Sequence, residues 1–234
     1  MKNPPLGRVS SNKDRIVEVA LDLFNAHGVS AISTNEIASA AGVSPGNLYY
    51  HFANKHEIVR TLLPRIDAAI AVCFDYDEDP PLTTARMVKD YVDGVALLWD
   101  FRFFFGGLND LVRNDAEIAR YYAALAETSH ASMVRFYVKL IRDGQMRLPG
   151  PRARIDDLAR KTVLIWFNIV SNLQAQRSGA PITRADIVDG GLLCFLDVEP
   201  YLDADFARPV RRKLEALRRE AEEAPTPRRA GARA

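Results

Sequence analysis

Between Ser33 and Lys55 the chain reads STNEIASAAGVSPGNLYYHFANK, and this stretch constrains the fold more tightly than any other. Ser33 with Glu36 three residues later has the form of a capping box, and it opens a short helix that Gly42 closes. Ser44 opens the next as an N-cap, with Pro45 at the first helical position, where a missing N–H loses no bond. Two short helices joined by a tight turn at Gly42-Val43 make a helix-turn-helix only if the faces that cross are apolar and small. Ile37, Ala38 and Ala41 satisfy this on the first helix, Val43 in the turn, and Leu48 and Phe52, four apart, on the second. With Leu48 and Phe52 inward, the outer arc carries Pro45, Gly46, Asn47, Tyr49, Tyr50 and His51. Such a helix fits the major groove of DNA, with its small N-terminal end toward the base edges. Tyr49, Tyr50 and His51 can donate to phosphates or pack on sugars and thymine methyls. Lys55 is placed to meet a phosphate, and Thr34 adds a hydroxyl at the N-terminus of the preceding helix.

The rest of the chain also reads as helical. Ile16, Val19, Ala20, Leu23 and Phe24 recur at three- and four-residue spacing, Ser11 with Asp14 approximates a capping box, and Gly28 supplies a stop. Residues 1–10, with Pro4, Pro5 and Gly7, are expected to form a mobile arm. Downstream, the pattern predicts helices near 55–73, 83–105, 108–113, 115–142, 156–178, 183–197 and 200–222. Breaks fall at Asp79-Pro80-Pro81, Leu148 to Pro151, Gly179 to Pro181, and Pro200, and Pro64 should kink or split the first of these helices. No segment alternates with period two long enough to make a strand. The expected fold is all-α: a helix-turn-helix domain over 11–54, a second helical domain over 55–206, and a basic helix with a disordered tail, APTPRRAGARA, over 207–234.

The stretch Gly46-Asn47-Leu48-Tyr49-Tyr50-His51-Phe52, followed by Lys55, resembles the DNA-binding domain of the TetR family of bacterial regulators. The resemblance covers Arg15 to about Leu63 and includes Ala20, Phe24, Gly28, Ile37, Ala38, Gly42 and Val43. It implies DNA-contacting roles for Thr34, Ser44, Pro45, Gly46, Asn47, Tyr49, Tyr50, His51 and Lys55. Pro45 departs from the basic or polar residue often found at its position. The resemblance further implies a helical C-terminal domain that dimerises through its last two long helices, setting two recognition helices on a pseudo-palindromic operator. The segment is close to neutral, so affinity should depend on two half-sites being held together.

Residues 156–178, with Val163, Leu164, Trp166, Phe167 and Val170, and residues 183–197, with Ile187, Gly190, Gly191, Leu192, Cys194 and Phe195, suit that dimerising role. Paired glycines in a helix interior lose about 1 kcal/mol each relative to alanine. Close backbone packing in a helix-pair interface would account for them; a helix broken at 190–191 is the alternative. The run WDFRFFFGGLNDLVRND, Trp99 to Asp115, is unusually aromatic and looks like a segment of one TetR-like subgroup. Phe101, Phe103, Phe104 and Phe105 cannot share one face of a helix, so some should line a cavity or an interface. The expected ligand pocket joins Trp99, Phe103 and Phe105 with Tyr121, Tyr122, Phe136, Trp166, Phe167 and Asn168. Arg102, Asn109, His130, Asn168 and Asn172 are its candidate polar contacts. A plain aromatic core is the alternative for any single residue.

Composition excludes other classes. At 234 residues, 48% hydrophobic, 26% charged and net charge +1, the chain has the make-up of an ordinary soluble protein, so any DNA affinity must be local. Cys73 and Cys194 are expected as reduced thiols. No run approaches a membrane span and the N-terminus has no apolar stretch for a signal peptide, which points to the cytoplasm. His27, His51, His56 and His130 form no metal set, Ser10 and Lys13 match SxxK without an oxyanion site, and there is no phosphate-cradling loop. No cofactor, metal or catalysis is expected. Asp77, Glu78 and Asp79 read as a solvated loop, and the basic C-terminal helix as a solvated end. The expected function is a homodimeric repressor released from its operator by a small hydrophobic effector. Its rivals are a constitutive or protein-controlled regulator, and a helical binding protein or enzyme with an incidental helix-turn-helix.

Overall fold

A computed structural model of the chain describes residues 11–73, 80–148, 153–177 and 180–223. The expected arm at 1–10, the acidic Asp77 to Asp79 and the tail at 224–234 lie outside the described residues. Eleven α-helices follow one another among the described residues, and the only β-type pairing there is a single bridge between Met146 and Leu202. The head consists of α1 (Asn12–His27), α2 (Thr34–Ala40) and α3 (Pro45–His51). Its local signals act as the sequence implies: Ser11–Asp14 and Ser33–Glu36 are complete capping boxes, and Ser44 Oγ accepts from Asn47 N at 3.2 Å. Gly28 and Gly42 take φ of 80° and 62°, where a Cβ would be strained, so they turn the chain as stops. Ile16, Ala20, Phe24, Ile37, Leu48 and Phe52 are buried together. Arg15 Nε donates to Ala41 O at 2.7 Å, tying α1 to the helix-turn-helix turn.

Helix α4 (Lys55–Cys73) leaves the head and enters the second domain. It opens on Asn54, whose Oδ1 accepts from Glu57 N at 3.1 Å, and it runs through Pro64 without a break. Pro64 is exposed, so its ring stands in solvent while Leu62, Leu63 and Ile66 are held in the core on either side. Those contacts hold the helix together despite the missing N–H.

The second domain contains α5 (Thr84–Asp100), α6 (Arg102–Gly106), α7 (Leu108–Asn114), α8 (Ala116–Arg142), α9 (Ala153–Gln176), α10 (Arg184–Val198) and α11 (Ala204–Glu223). The helix expected over 83–105 is two helices, because the backbone turns at Phe101 (φ −118°, ψ 32°). The turn resolves the crowding of phenylalanines: Phe101, Phe103, Phe104 and Phe105 are all buried. Helix α10 is unbroken at Gly190-Gly191. A Cβ on Gly190 would lie 2.6 Å from Ile169 Cγ2, and one on Gly191 would lie 3.1 Å from Val95 Cγ2. The close packing that the glycines allow includes contacts within the chain, against α9 and α5. Helix α11 differs from the solvated end expected. Phe206, Ala207, Val210 and Leu214 are buried in a second core with Tyr137, Leu140, Phe195 and Val198, while its arginines face outward. No helix among the described residues is long and apolar enough to cross a membrane.

Candidate nucleic-acid interface and ligand cavity

Helix α3 buries Leu48 and turns Pro45, Gly46, Tyr49 and Tyr50 out. Tyr49 is 52% exposed and Tyr50 82%. Thr34 Oγ1 and Tyr49 Oη are hydrogen-bonded at 2.9 Å, so the N-terminus of α2 fixes the direction of that phenol. Tyr50 and His51 meet edge to face with centroids 4.9 Å apart. Gly46 has no backbone reason to be glycine: its φ is not positive, and the nearest atom to an added Cβ is Ser44 Oγ at 4.0 Å. A residue that lowers helix propensity by up to about 1 kcal/mol, with open space around it, allows something outside the chain to approach closely. Pro45 and Ser44 are exposed beside it, and Asn47 is half-buried.

Lys55 stands elsewhere. Its Nζ donates to Val29 O at 2.7 Å, Ile32 O at 3.0 Å and Ser30 O at 3.1 Å. An ammonium has three N–H donors, and all three are used on the loop between α1 and α2. In this geometry Lys55 braces the head, its ammonium turned to the loop and not outward. Thr34, Ser44, Pro45, Gly46, Asn47, Tyr49, Tyr50 and His51 are thus gathered on and beside α3, with Lys55 behind them.

In the second domain a cavity of about 60 Å³ lies between α5, α6, α8 and α9. Phe105, Phe136, Trp166 and Phe167, four of the aromatics that the sequence offered for a pocket, line it. The wall also includes Met87, Tyr91, Gly94 and Leu98 of α5, which stand outside the aromatic run. Their four-three-four spacing marks one face of a helix, and Gly94 was the available signal, since a Cβ there would meet the Trp166 ring at 3.0 Å. The polar groups at the wall are largely occupied: Asp90 pairs with Arg86 at 2.7 Å, Tyr137 Oη with Thr162 Oγ1 at 2.7 Å, and Cys73 Sγ with Ala69 O at 3.3 Å. Burial pushes the Cys73 thiol up to about 12, with the Asp93 and Asp90 charges adding to it, so it stays a neutral thiol.

The other candidate ligand contacts lie off this cavity. Arg102 stacks over Trp99 at 4.2 Å and donates to Trp99 O at 2.7 Å. Phe103 packs on Phe24 of the head, 5.7 Å between centroids. Asn109 is exposed on α7, and Tyr122 lies behind Phe167 at 6.1 Å. His130 Nε2 meets Asp156 O at 3.3 Å, joining α8 to α9. Asn168 donates to Leu164 O at 2.8 Å on an exposed row with Leu164 and Asn172. Segment 99–115 is thereby divided between the cavity wall and the seat of the head. At that seat Ser30 Oγ donates to Asp110 at 2.9 Å, and Arg60 pairs with Asp115 at 2.5 Å. Burial alone would raise the Asp115 carboxyl, but the Ile118 N–H and the Arg60 charge hold it below its ordinary value. A second, shallower groove of about 430 Å³ runs between α4 and α8, past Asp67, Ile70, Leu125 and Arg135. No sequence motif marks these positions.

Residues 16–62 match the family model described as bacterial regulatory proteins, tetR family, and residues 68–210 match the one described as bacterial transcriptional repressor, TetR. The transcriptional repressor KstR2 of Mycobacterium tuberculosis is 40% identical over 57 residues, which are 24% of this chain and 28% of that protein. The match therefore spans under a third of that relative's length and falls short of its whole activity. The crystal structure of a TetR-family transcriptional regulator from Marinobacter aquaeolei VT8 is 27% identical, with a TM-score of 0.75 over 89% of this chain and 98% of that one. SmeT, in a complex with triclosan, shares the fold at 18% identity, with a TM-score of 0.55 over 84% of this chain and 94% of that one.

Proposed function

This chain belongs to the TetR family of bacterial regulatory proteins, and from that premise we propose that it is a sequence-specific transcriptional repressor acting in the cytoplasm. One observation carries the reading: α3 presents Gly46, Tyr49 and Tyr50 on a face the protein's own packing leaves open. The N-terminal end of α3 enters the major groove, with Gly46 and Pro45 allowing close approach of the backbone. Tyr49, directed by Thr34, and Tyr50 with His51 reach the flanking phosphates and sugars. Two copies join through the outer faces of α9 and α10, where Leu164 and Leu193 are 63% and 64% exposed. The dimer places the two α3 helices about one turn of DNA apart, or a multiple of it, and the operator is a pseudo-palindrome.

The effector is a small, neutral, hydrophobic molecule held in the cavity between α5, α6, α8 and α9. Its wall offers rings and thioethers, and its polar groups have partners of their own, so a charged ligand would be desolvated without compensation. The cavity is small, so an occupant of ordinary effector size enlarges it by moving Met87, Met133 or Trp166. Enlargement disturbs α6 and α4 and unseats the heads. For near-complete release the effector must prefer the unseated conformer by about 5 kcal/mol. No feature of the described residues favours a purely protein-controlled regulator.

The test is selection from a pool of random DNA duplexes with the purified protein, alongside Tyr49→Ala. An inverted repeat recovered by the wild type and lost by the variant is the expected result. Binding without sequence preference, or none, contradicts the reading. A screen for compounds that raise the melting temperature then addresses the effector.

A further inference from the structure

At the junction of α5 and α6 the head and the cavity wall meet through backbone. Helix α6 follows Phe101, a residue with no side-chain acceptor, and no side chain of its own cap position holds its first turn. The opening N–H groups of a helix have no partner within it and need one from elsewhere. Asn25 of α1, 78 residues earlier in sequence, supplies that partner: its Oδ1 accepts from Phe103 N at 3.0 Å. The same carboxamide donates through Nδ2 to Asp100 O at 2.7 Å, so one side chain serves both sides of the break. Phe24, next to Asn25, packs on Phe103. Two residues further along, Phe105 stands in the cavity wall, 5.5 Å from Phe167.

We propose that Asn25 is a positioning residue which caps α6 from the DNA-binding head, so that seating of the head and order in the first turn of α6 are one equilibrium. A head that swings away removes both hydrogen bonds and frees the turn. An α6 displaced from the Phe105 side withdraws Phe103 N and Asp100 O from Asn25 and frees the head. Linkage makes the two effects reciprocal in size. The capping claim stands on the geometry alone; its regulatory meaning rests on the cavity being the effector site.

The test is amide hydrogen exchange on the full chain. Asn25→Ala should speed exchange at Phe103 and the rest of α6 by about two- to tenfold, with α8 and α9 unchanged. Asn25→Asp, which keeps the acceptor and loses the donor, should leave Phe103 the better protected of the two variants. Unchanged exchange in α6, or acceleration shared equally by α8 and α9, would overturn the cap. The second arm is a double-mutant cycle of Asn25→Ala with Phe105→Leu, read as affinity for the selected duplex. Phe105→Leu should alter affinity in the wild type and clearly less in the Asn25→Ala background. No effect of Phe105→Leu, or additivity within about twofold, overturns transmission through α6. If no duplex is selected, the function proposed above has failed while the exchange arm still decides the cap.

Discussion

Two aromatic runs, Tyr49-Tyr50-His51 in the head and Phe101 to Phe105 in the second domain, end up on opposite sides of the molecular surface. Tyr50 is 82% exposed, whereas Phe104 and Phe105 are fully buried. The phenols and the imidazole carry polar tips that water or a partner can satisfy, and Leu48 and Phe52 already supply the inward side of their helix. The phenylalanines have no such tips, so the chain breaks the helix at Phe101 to bury all of them, and the break needs a cap from α1. The first run is thus free to meet another molecule, while the second is committed to packing and to joining the domains.

Substitutions can break this contrast or sharpen it. Phe105→Ala should lower unfolding free energy by about 3–5 kcal/mol in a denaturant melt, whereas Tyr50→Ala should stay within about 0.5 kcal/mol and lose operator affinity by at least about tenfold. Equal destabilisation by both would erase the distinction. Lys55→Ala should remove about 1–3 kcal/mol, because three carbonyls of the α1–α2 loop lose their donor, and the salt dependence of operator binding should not change. A stable variant whose salt slope falls by about one would make Lys55 a phosphate contact after all. Asp115→Asn should lower stability by about 1 kcal/mol at neutral pH, measured by thermal melting. The folded Asp115 titrates below its unfolded value of 3.8, so its contribution is full above that pH. It is lost as the pH falls through the lower folded value, and the variant should lack this acid-side loss.

The head was legible because its signals are local. Ser11–Asp14, Ser33–Glu36, Ser44-Pro45, Gly28 and Gly42 each act within a few residues, and their spacing fixes the helices and the outward face between them. The bracing bonds of Lys55 were not legible, because its partners, Val29, Ser30 and Ile32, lie more than twenty residues away, across a turn whose carbonyls no sequence pattern marks. In the second domain the helices were legible from periodicity and breaks, yet the roles of their side chains were not. Phe103 and Phe105 are two apart and serve the head and the cavity respectively, a division made by the backbone at Phe101. Gly190 and Gly191 did signal close packing, but only the fold shows that Ile169 and Val95 are the neighbours.

Gly46 puts the central claim, that the open face of α3 reads DNA, to the most direct test. Gly46→Ala adds a single methyl that meets nothing in the protein, and helix propensity predicts an unchanged or slightly higher melting temperature. Thermal melting and affinity for the selected duplex should be measured on the same preparation. Preserved or raised stability with affinity reduced by about tenfold or more is the predicted result, since the methyl then meets only the DNA backbone. Preserved stability with unchanged affinity would place the DNA on some other surface.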